Sequence, residues 1–273
     1  MVNAKSIEAL IVLWRMYRFA HLIRKRMLVM TNKTHSPCMC HPTWVGRSVC
    51  RTCNILHEVI FSDLSPGELD HIIQGIYEPI DEYTYEKGAV IYQQGCDDNA
   101  IYTIRGGLVK LVRYMPDGRE RIIRLMKTTD SIGLERVLGR PYGHTAIALQ
   151  PVNACRIPIG VLRQLDVEKP RFYRQLMERW ATALFQTDDY IMMVLSGNVK
   201  QRVAHLICWL SEVTDDEHKS RVVLLKGEDI AAMLDITAES VSRILADLKR
   251  QGILRHRDDG RFEYSEKALK EYA

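Results

Sequence analysis

The chain has 273 residues, 47% of them apolar and 26% charged, so a packed core is expected and disorder is excluded as the default. Lys and Arg number 38 against 34 Asp and Glu, a formal net charge of +4. That excludes a histone-like polycation and leaves nucleic-acid contact to a local patch. At roughly 100–200 residues per domain the length asks for two domains, and seven cysteines are too few for a disulfide scaffold.

Four of the seven cysteines crowd into Cys38–Cys53. Before them, residues 1–36 form an N-terminal extension whose apolar run Ala9–Trp14 breaks at Arg15, with Arg18, Arg24, Lys25 and Arg26 following. A membrane span needs about 20 apolar residues and a signal peptide carries its positive charge in front, so neither membrane nor export is expected. The expected compartment is reducing cytoplasm. There the cysteines of residues 37–57 read as metal ligands or redox switches before structural disulfides.

Texture becomes regular from Phe61. Ser65-Pro66-Gly67-Glu68 has the pattern of a capping box opening a short helix. Short β segments follow at Ala89–Tyr92, Ala100–Ile104, Leu108–Val112 and Arg121–Leu125, parted by Glu86-Lys87-Gly88, Arg105-Gly106-Gly107 and Pro116-Asp117-Gly118. Such spacing with glycine turns predicts an antiparallel roll or sandwich over residues 58–165. Cys96 and Cys208 read as structural thiols.

After Pro170 the period changes. Tyr173, Leu176, Trp180, Ala183, Thr187, Tyr190 and Val194 step by three and four, predicting one long helix with a self-pairing seam over residues 166–198. Trp180, Phe185, Met192 and Met193 spread around that helix and ask for burial on more than one side, which favours a homodimer over packing on the same chain.

Residues 199–273 begin with a helix, Val199–Val213, whose Val203, Leu206, Ile207 and Leu210 share a face. A short helix over Leu225–Leu234, the turn Asp235-Ile236-Thr237 and a second helix over Ala238–Arg250 make a helix-turn-helix. Thr237 is its N-cap, Gly252 its left-handed end, and Ile253–Tyr264 around Asp258-Asp259-Gly260 makes a hairpin wing. The partner is then double-stranded DNA, read in the major groove by the start of the second helix. Glu239, Ser242 and Arg243 share one face there, with Thr237 and Ser240 at the same end. Arg clamps guanine in a bidentate pair, Glu accepts from a cytosine amino group, and Ser takes either role. Lys249, Arg250, Arg255, His256, Arg257 and Arg261 supply phosphate contacts. The competing expectation is a surface Glu239–Arg243 ion pair with no role in DNA reading.

Over about residues 50–273 this order resembles the CRP/FNR superfamily of bacterial transcription regulators, which combine a β-roll sensor, a long dimer helix and a winged helix-turn-helix. Leu225–Gly252 carries the resemblance most specifically; Gly88–Gly95 and Ile101–Gly107 look like the family's roll signatures. Cyclic-AMP receptors place Arg and Gly where this chain has Ala238 and Ser242, so Glu239-x-x-Ser242-Arg243 looks like the oxygen-sensing FNR branch. The resemblance implies an α+β chain with a cyclic-nucleotide-binding-like antiparallel β-roll, and a non-enzymatic, homodimeric regulator. It further implies TTGAT-like palindromic half-sites and RNA polymerase as a partner. Cyclic-nucleotide rolls hold phosphate with an Arg-Ser pair and ribose with a Glu directly after a Gly. Here Glu135 is one place off in Gly133-Leu134-Glu135 and His144-Thr145 replaces Arg-Ser. No cyclic nucleotide is expected, because a neutral imidazole cannot replace a forked, permanently charged guanidinium. Control by a cyclic nucleotide or another small molecule in the roll is the alternative.

The same branch holds a [4Fe–4S] cluster with three N-terminal cysteines and one in the roll. Soft, anionic thiolates match iron. Cys155 in Asn153–Pro158 looks like the family's Cys-x-Ile-Pro segment and Cys50-x-x-Cys53 like its Cys-x-x-Cys pair. The third family cysteine is absent downstream, and Cys38 or Cys40 upstream stands in for it. A zinc site joined by His41, a thiol–disulfide switch and inert thiols remain open. Asp189 lies thirteen residues before Arg202, where the FNR branch places a dimer-helix Asp. Like charges meeting across a two-fold seam disfavour association, which makes Asp189 the expected dimer switch. A catalytic metalloprotein is disfavoured because no acid/base constellation accompanies the cysteines.

Overall fold

Two antiparallel sheets carry the first half of the chain. The computed structural model describes residues 42–50, 53–55, 61, 64–65, 67–68, 71, 79–168, 172–213, 220–258 and 260–272. By contacts the chain divides after Met39, and Cys40–Ala273 forms one compact unit. The expectations placed on residues 1–36, Cys38, Cys40 and His41 lie outside the described residues.

The strands are β1 (Thr43–Arg47), β2 (Asp81–Tyr85), β3 (Val90–Tyr92), β4 (Ala100–Gly106), β5 (Val109–Tyr114), β6 (Glu120–Met126), β7 (Ser131–Ile132), β8 (Thr145–Ala148) and β9 (Val152–Pro158). One sheet runs β1-β2-β9-β4-β7, the other β3-β8-β5-β6. Central β4 is buried from Ala100 to Thr103 and again at Ile104, while Val109, Leu111 and Ala146 of the facing sheet are equally enclosed. Each such aliphatic side chain contributes about 1.5–3 kcal/mol on burial. Gly107 turns β4 into β5 at φ +94°; a Cβ there would stand 2.3 Å from the Pro151 carbonyl oxygen, so only glycine fits. β1 lies inside the segment expected to be a separate Cys-rich stretch. It pairs antiparallel with β2 as the edge of the five-stranded sheet, so the sheet begins at Thr43 rather than at residue 58. The Ser65 capping box forms: the Ser65 amide donates to Glu68 Oε2 at 2.9 Å and the Glu68 amide to Ser65 Oγ at 3.3 Å.

Three helices follow, α1 (Ile159–Glu168), α2 (Phe172–Asp189) and α3 (Val199–Val213). The uniform helix expected over residues 166–198 is interrupted. Tyr190–Val194 forms a π-helical turn capped by Leu195, and Gly197 follows at φ +89°. Part of the expected seam is turned inward. Leu176, Tyr190 and Val194 of the expected seam are buried against this chain's own core. The exposed apolar face carries Met177 (66%), Leu184 (60%), Phe185 (65%), Ile191 (51%) and Met192 (70%). A helix with apolar residues on two faces offers two readings of its period, and tertiary packing takes one of them.

The last part adds β10 (Arg221–Val222), α4 (Gly227–Leu234), α5 (Ala238–Arg250), β11 (Leu254–His256), β12 (Phe262–Tyr264) and α6 (Glu266–Tyr272), with sheet order β10-β12-β11. Its core of Leu206, Leu210, Ile230, Met233, Val241 and Leu248 is continuous with Val112, Ile122 and Leu125 of the roll through Tyr190 and Val194. Among the described residues no helix is long and apolar enough to cross a membrane.

Candidate nucleic-acid interface and thiol site

Helix α5 is built to offer one face outward. Val241, Ile244 and Leu248 are buried, while Glu239, Ser242 and Arg243 are exposed side by side. Thr237 caps the helix: its Oγ1 accepts from the Ser240 amide at 3.2 Å and donates to Ser240 Oγ at 2.9 Å. The hydroxyls of Thr237 and Ser240 are thereby committed first to the helix start. At the other end the amides of Gly252 and Ile253 donate to the Lys249 and Leu248 carbonyls, both at 3.0 Å, a Schellman closure around left-handed Gly252. Asp235, at φ +54°, occupies the left-handed turn between α4 and α5, a place Asp tolerates better than most residues. Among the described residues no ion pair joins Glu239 to Arg243, which leaves both side chains open to bases. In the wing, Lys249 Nζ lies 4.8 Å over the Phe262 ring and Arg257 reaches Glu263 at 3.3 Å, while Arg255 and His256 are exposed.

Three thiols gather against the five-stranded sheet. Cys50 is buried and Cys53 and Cys155 half-buried, and all three belong to one apolar cluster with Ile55, Phe61 and Leu165. The Cys53 amide donates to the Cys50 carbonyl at 3.3 Å, so the pair sits in one tight turn. Cys155, on β9, lies between Glu82 of β2 and Thr103 of β4, with Ser48 Oγ 3.2 Å from its Sγ. Arg105 stands beside Cys155 and pairs with Glu82 at 2.5 Å. Burial pushes the Cys155 thiol up; the Ser48 hydrogen bond and the Arg105 charge offset only part of that. In kind, three thiols in an apolar shell beside a guanidinium suit a soft, anionic metal centre. In geometry, no group of three or more His, Cys, Asp or Glu among the described residues stands close enough to hold an ion. Cys96, read as a structural thiol, is disulfide-bonded, whereas Cys208 is free. Arg105 and Ser48 escaped the sequence reading because the first sits in what reads as a plain glycine turn and the second has no motif.

Two family profiles match the chain: the cyclic nucleotide-binding domain over residues 82–167 and the Crp-like helix-turn-helix domain over residues 201–271. The chain is 27% identical over 226 residues to an anaerobic regulatory protein of Pasteurella multocida, covering 78% of this chain and 81% of that one. It is 26% identical over 211 residues to a fumarate and nitrate reduction regulatory protein of Vibrio cholerae, covering 75% and 82%. The chain thus combines the two domains of CRP/FNR-family regulators. It is a DNA-binding transcription regulator of the FNR type and not an enzyme. FixK2 of Bradyrhizobium japonicum shares the fold, with a TM-score of 0.62, 22% identity and coverage of 71% of this chain and 96% of that one. A CRP-family regulator of Thermus thermophilus superposes with a TM-score of 0.60 at 25% identity, covering 70% and 95%.

In this CRP/FNR regulator a cavity of about 680 Å³ opens between the roll and α2, lined by Arg124, Glu135, His144, Arg174, Arg179 and Trp180 among others. On its roll side several polar groups are already engaged. Arg136 spends its guanidinium on the Asp97, Asp98 and Arg140 carbonyls, each at 2.7 Å. Glu135 Oε1 accepts the Gly143 amide at 2.7 Å. Burial, helped by Arg124, lowers the pKa of His144, which favours its neutral form. Asp189, the expected dimer switch, is exposed and lines a smaller cavity of about 240 Å³ with Tyr190, Trp209 and Met233. Asp188 lies four residues after Leu184 and three before Ile191, and Asp189 four after Phe185 and three before Met192, so both carboxylates border the exposed apolar residues.

Proposed function

We propose that this regulator is a homodimer, cytoplasmic, whose DNA affinity follows oxygen or redox state through a [4Fe–4S] cluster. Its ligands would be Cys50, Cys53, Cys155 and Cys38 or Cys40. The observation that carries this is the meeting of Cys50, Cys53 and Cys155 in one cluster, beside Arg105. Its relatives named for anaerobic regulation point the same way. Bound there, the cluster supplies an oxygen-labile redox centre. The chain's own residues do the rest. Arg105 balances thiolate charge, and the apolar shell of Ile55, Phe61 and Leu165 restricts water.

Dimerisation runs through Met177, Leu184, Ile191 and their exposed neighbours, with carboxylates of α2 opposing it until the sensor is loaded. The helix-turn-helix pair then meets TTGAT-like palindromic half-sites one DNA turn apart and presents the bound dimer to RNA polymerase. Protein purified without oxygen is expected to be coloured and to contain about four irons per chain, the content of one such cluster, and air is expected to bleach it. Colourless, iron-free protein that binds the half-sites equally well in air would overturn the cluster. Asp189→Ala should dimerise in air more strongly than the natural chain, read by sedimentation; unchanged dimer content in air would remove Asp189 as the switch. A thiol–disulfide switch is the second reading, favoured by the disulfide at Cys96. Titrating thiols before and after mild oxidation, alongside DNA binding, separates it from the cluster.

A further inference from the structure

The sensor half holds the DNA-binding half at one helix. Lys110 of β5 reaches Asp229 of α4, Nζ to Oδ1 2.8 Å, and Glu120 of β6, Nζ to Oε1 2.5 Å. Both ends of the first pair are largely enclosed, with side-chain exposures of 13% and 12%. Arg121 Nη1 stands 2.7 Å from Asp235 Oδ2 at the end of the same helix, and Arg119 Nη1 3.7 Å from its other oxygen. From the dimerisation helix, the buried Tyr190 hydroxyl donates to the Met233 carbonyl at 2.9 Å, its ring tilted against Trp209 with centroids 5.3 Å apart. Of these partners in the DNA-binding half, Asp229, Met233 and Asp235 belong to α4 or to the turn that follows it, and Trp209 to α3. The face of α5 that carries Glu239, Ser242 and Arg243 is left exposed.

We propose that α4 is the handle by which sensor and dimer helix orient the reading helix, with Lys110, Arg121 and Tyr190 as positioning residues that hold the helix-turn-helix ready for DNA. The physical reason is pre-organisation. Two reading helices must arrive one DNA turn apart, and a DNA-binding half free to swivel would lose that freedom on binding. Contacts at both ends of one short helix restrict swivelling about it without touching the bases. The Lys110–Asp229 pair suits this because a half-buried charge left alone is costly, so the two surfaces separate reluctantly. Tyr190 sits where the π-turn begins, so a change in the register of α2 reaches α4 directly.

The test uses the full chain and two duplexes of equal length, one with an inverted pair of TTGAT-like half-sites and one unrelated. Lys110→Met, Asp235→Asn and Tyr190→Phe are compared with the natural chain for both duplexes, together with Tm and dimer content. Asp235→Asn keeps the left-handed turn and Tyr190→Phe keeps the ring, so these two carry the test if Lys110→Met fails to fold. The expected result is loss of specific binding by at least about fivefold for each variant, at unchanged non-specific binding and dimer content. Lys110→Met combined with Asp229→Leu should recover part of the loss, because no charge is then left buried alone. Unchanged or tighter specific binding in the folded variants would overturn the proposal, as would a fall in both kinds of binding in step with Tm. A natural chain that binds neither duplex would instead count against the choice of half-site.

Discussion

Glu239, Ser242 and Arg243 lie within five residues of one helix, whereas Cys50 and Cys53 come from a turn and Cys155 from β9, far along the chain. The reading face is a product of local structure: a cap at Thr237, a Schellman end at Gly252, and an apolar stripe opposite. It survives any rearrangement that keeps α5 helical. The thiol site exists only while two segments of the roll hold their register, so it is sensitive to whatever disturbs them. That difference teaches a division of labour. A DNA reader gains from rigidity within one element, and a sensor gains from depending on several.

The contrast can be broken at either end. The largest effect is expected from Gly107→Ala, whose Cβ meets the Pro151 carbonyl at a positive φ. It should cost roughly 3 kcal/mol in urea unfolding and disturb the roll while leaving the helical content of α5 intact. An unchanged midpoint would mean that the sheets adjust more freely than their packing implies. Arg243→Ala should weaken binding to the correct half-site by about 1–3 kcal/mol, with far less effect on unrelated DNA, as measured by gel shift at fixed salt. Equal losses on both duplexes would make Arg243 a phosphate contact. Thr237→Ala removes the cap hydrogen bond to Ser240 and should lower stability by about 1 kcal/mol without altering thiol reactivity, which confines its effect to the local end.

The smallest effect is a pH dependence in the roll. Burial holds the His144 pKa below its ordinary 6.5, so the unfolded chain takes up the proton first. Stability from this group is therefore complete above 6.5 and drains away as pH falls from there through the depressed folded value. His144→Gln should flatten that part of the stability curve, measured by thermal unfolding across the acid range; an unaltered slope would place its cause elsewhere.

Much of the fold was legible because its signals are short-range. The turn glycines, the capping box at Ser65, the N-cap at Thr237, and the two helices around Asp235 each follow from a handful of consecutive residues. Polar β2 carries no apolar alternation to mark its bounds, and its pairing with β1 and β9 is what makes Asp81–Tyr85 extended. Helix α6 escaped for a similar reason, since Leu269 is its one fully buried anchor.

The sequence alone determined the reading helix, the winged domain around it and the candidate thiols, since propensity, capping and residue chemistry act over a few positions. Only the tertiary structure decided which face of α2 stays exposed and that Arg105 lies beside Cys155. It alone brought Lys110, Arg121 and Tyr190 onto α4. Those outcomes depend on contacts between residues far apart in the chain, where periodicity admits more than one packing and the burial of the whole core selects among them.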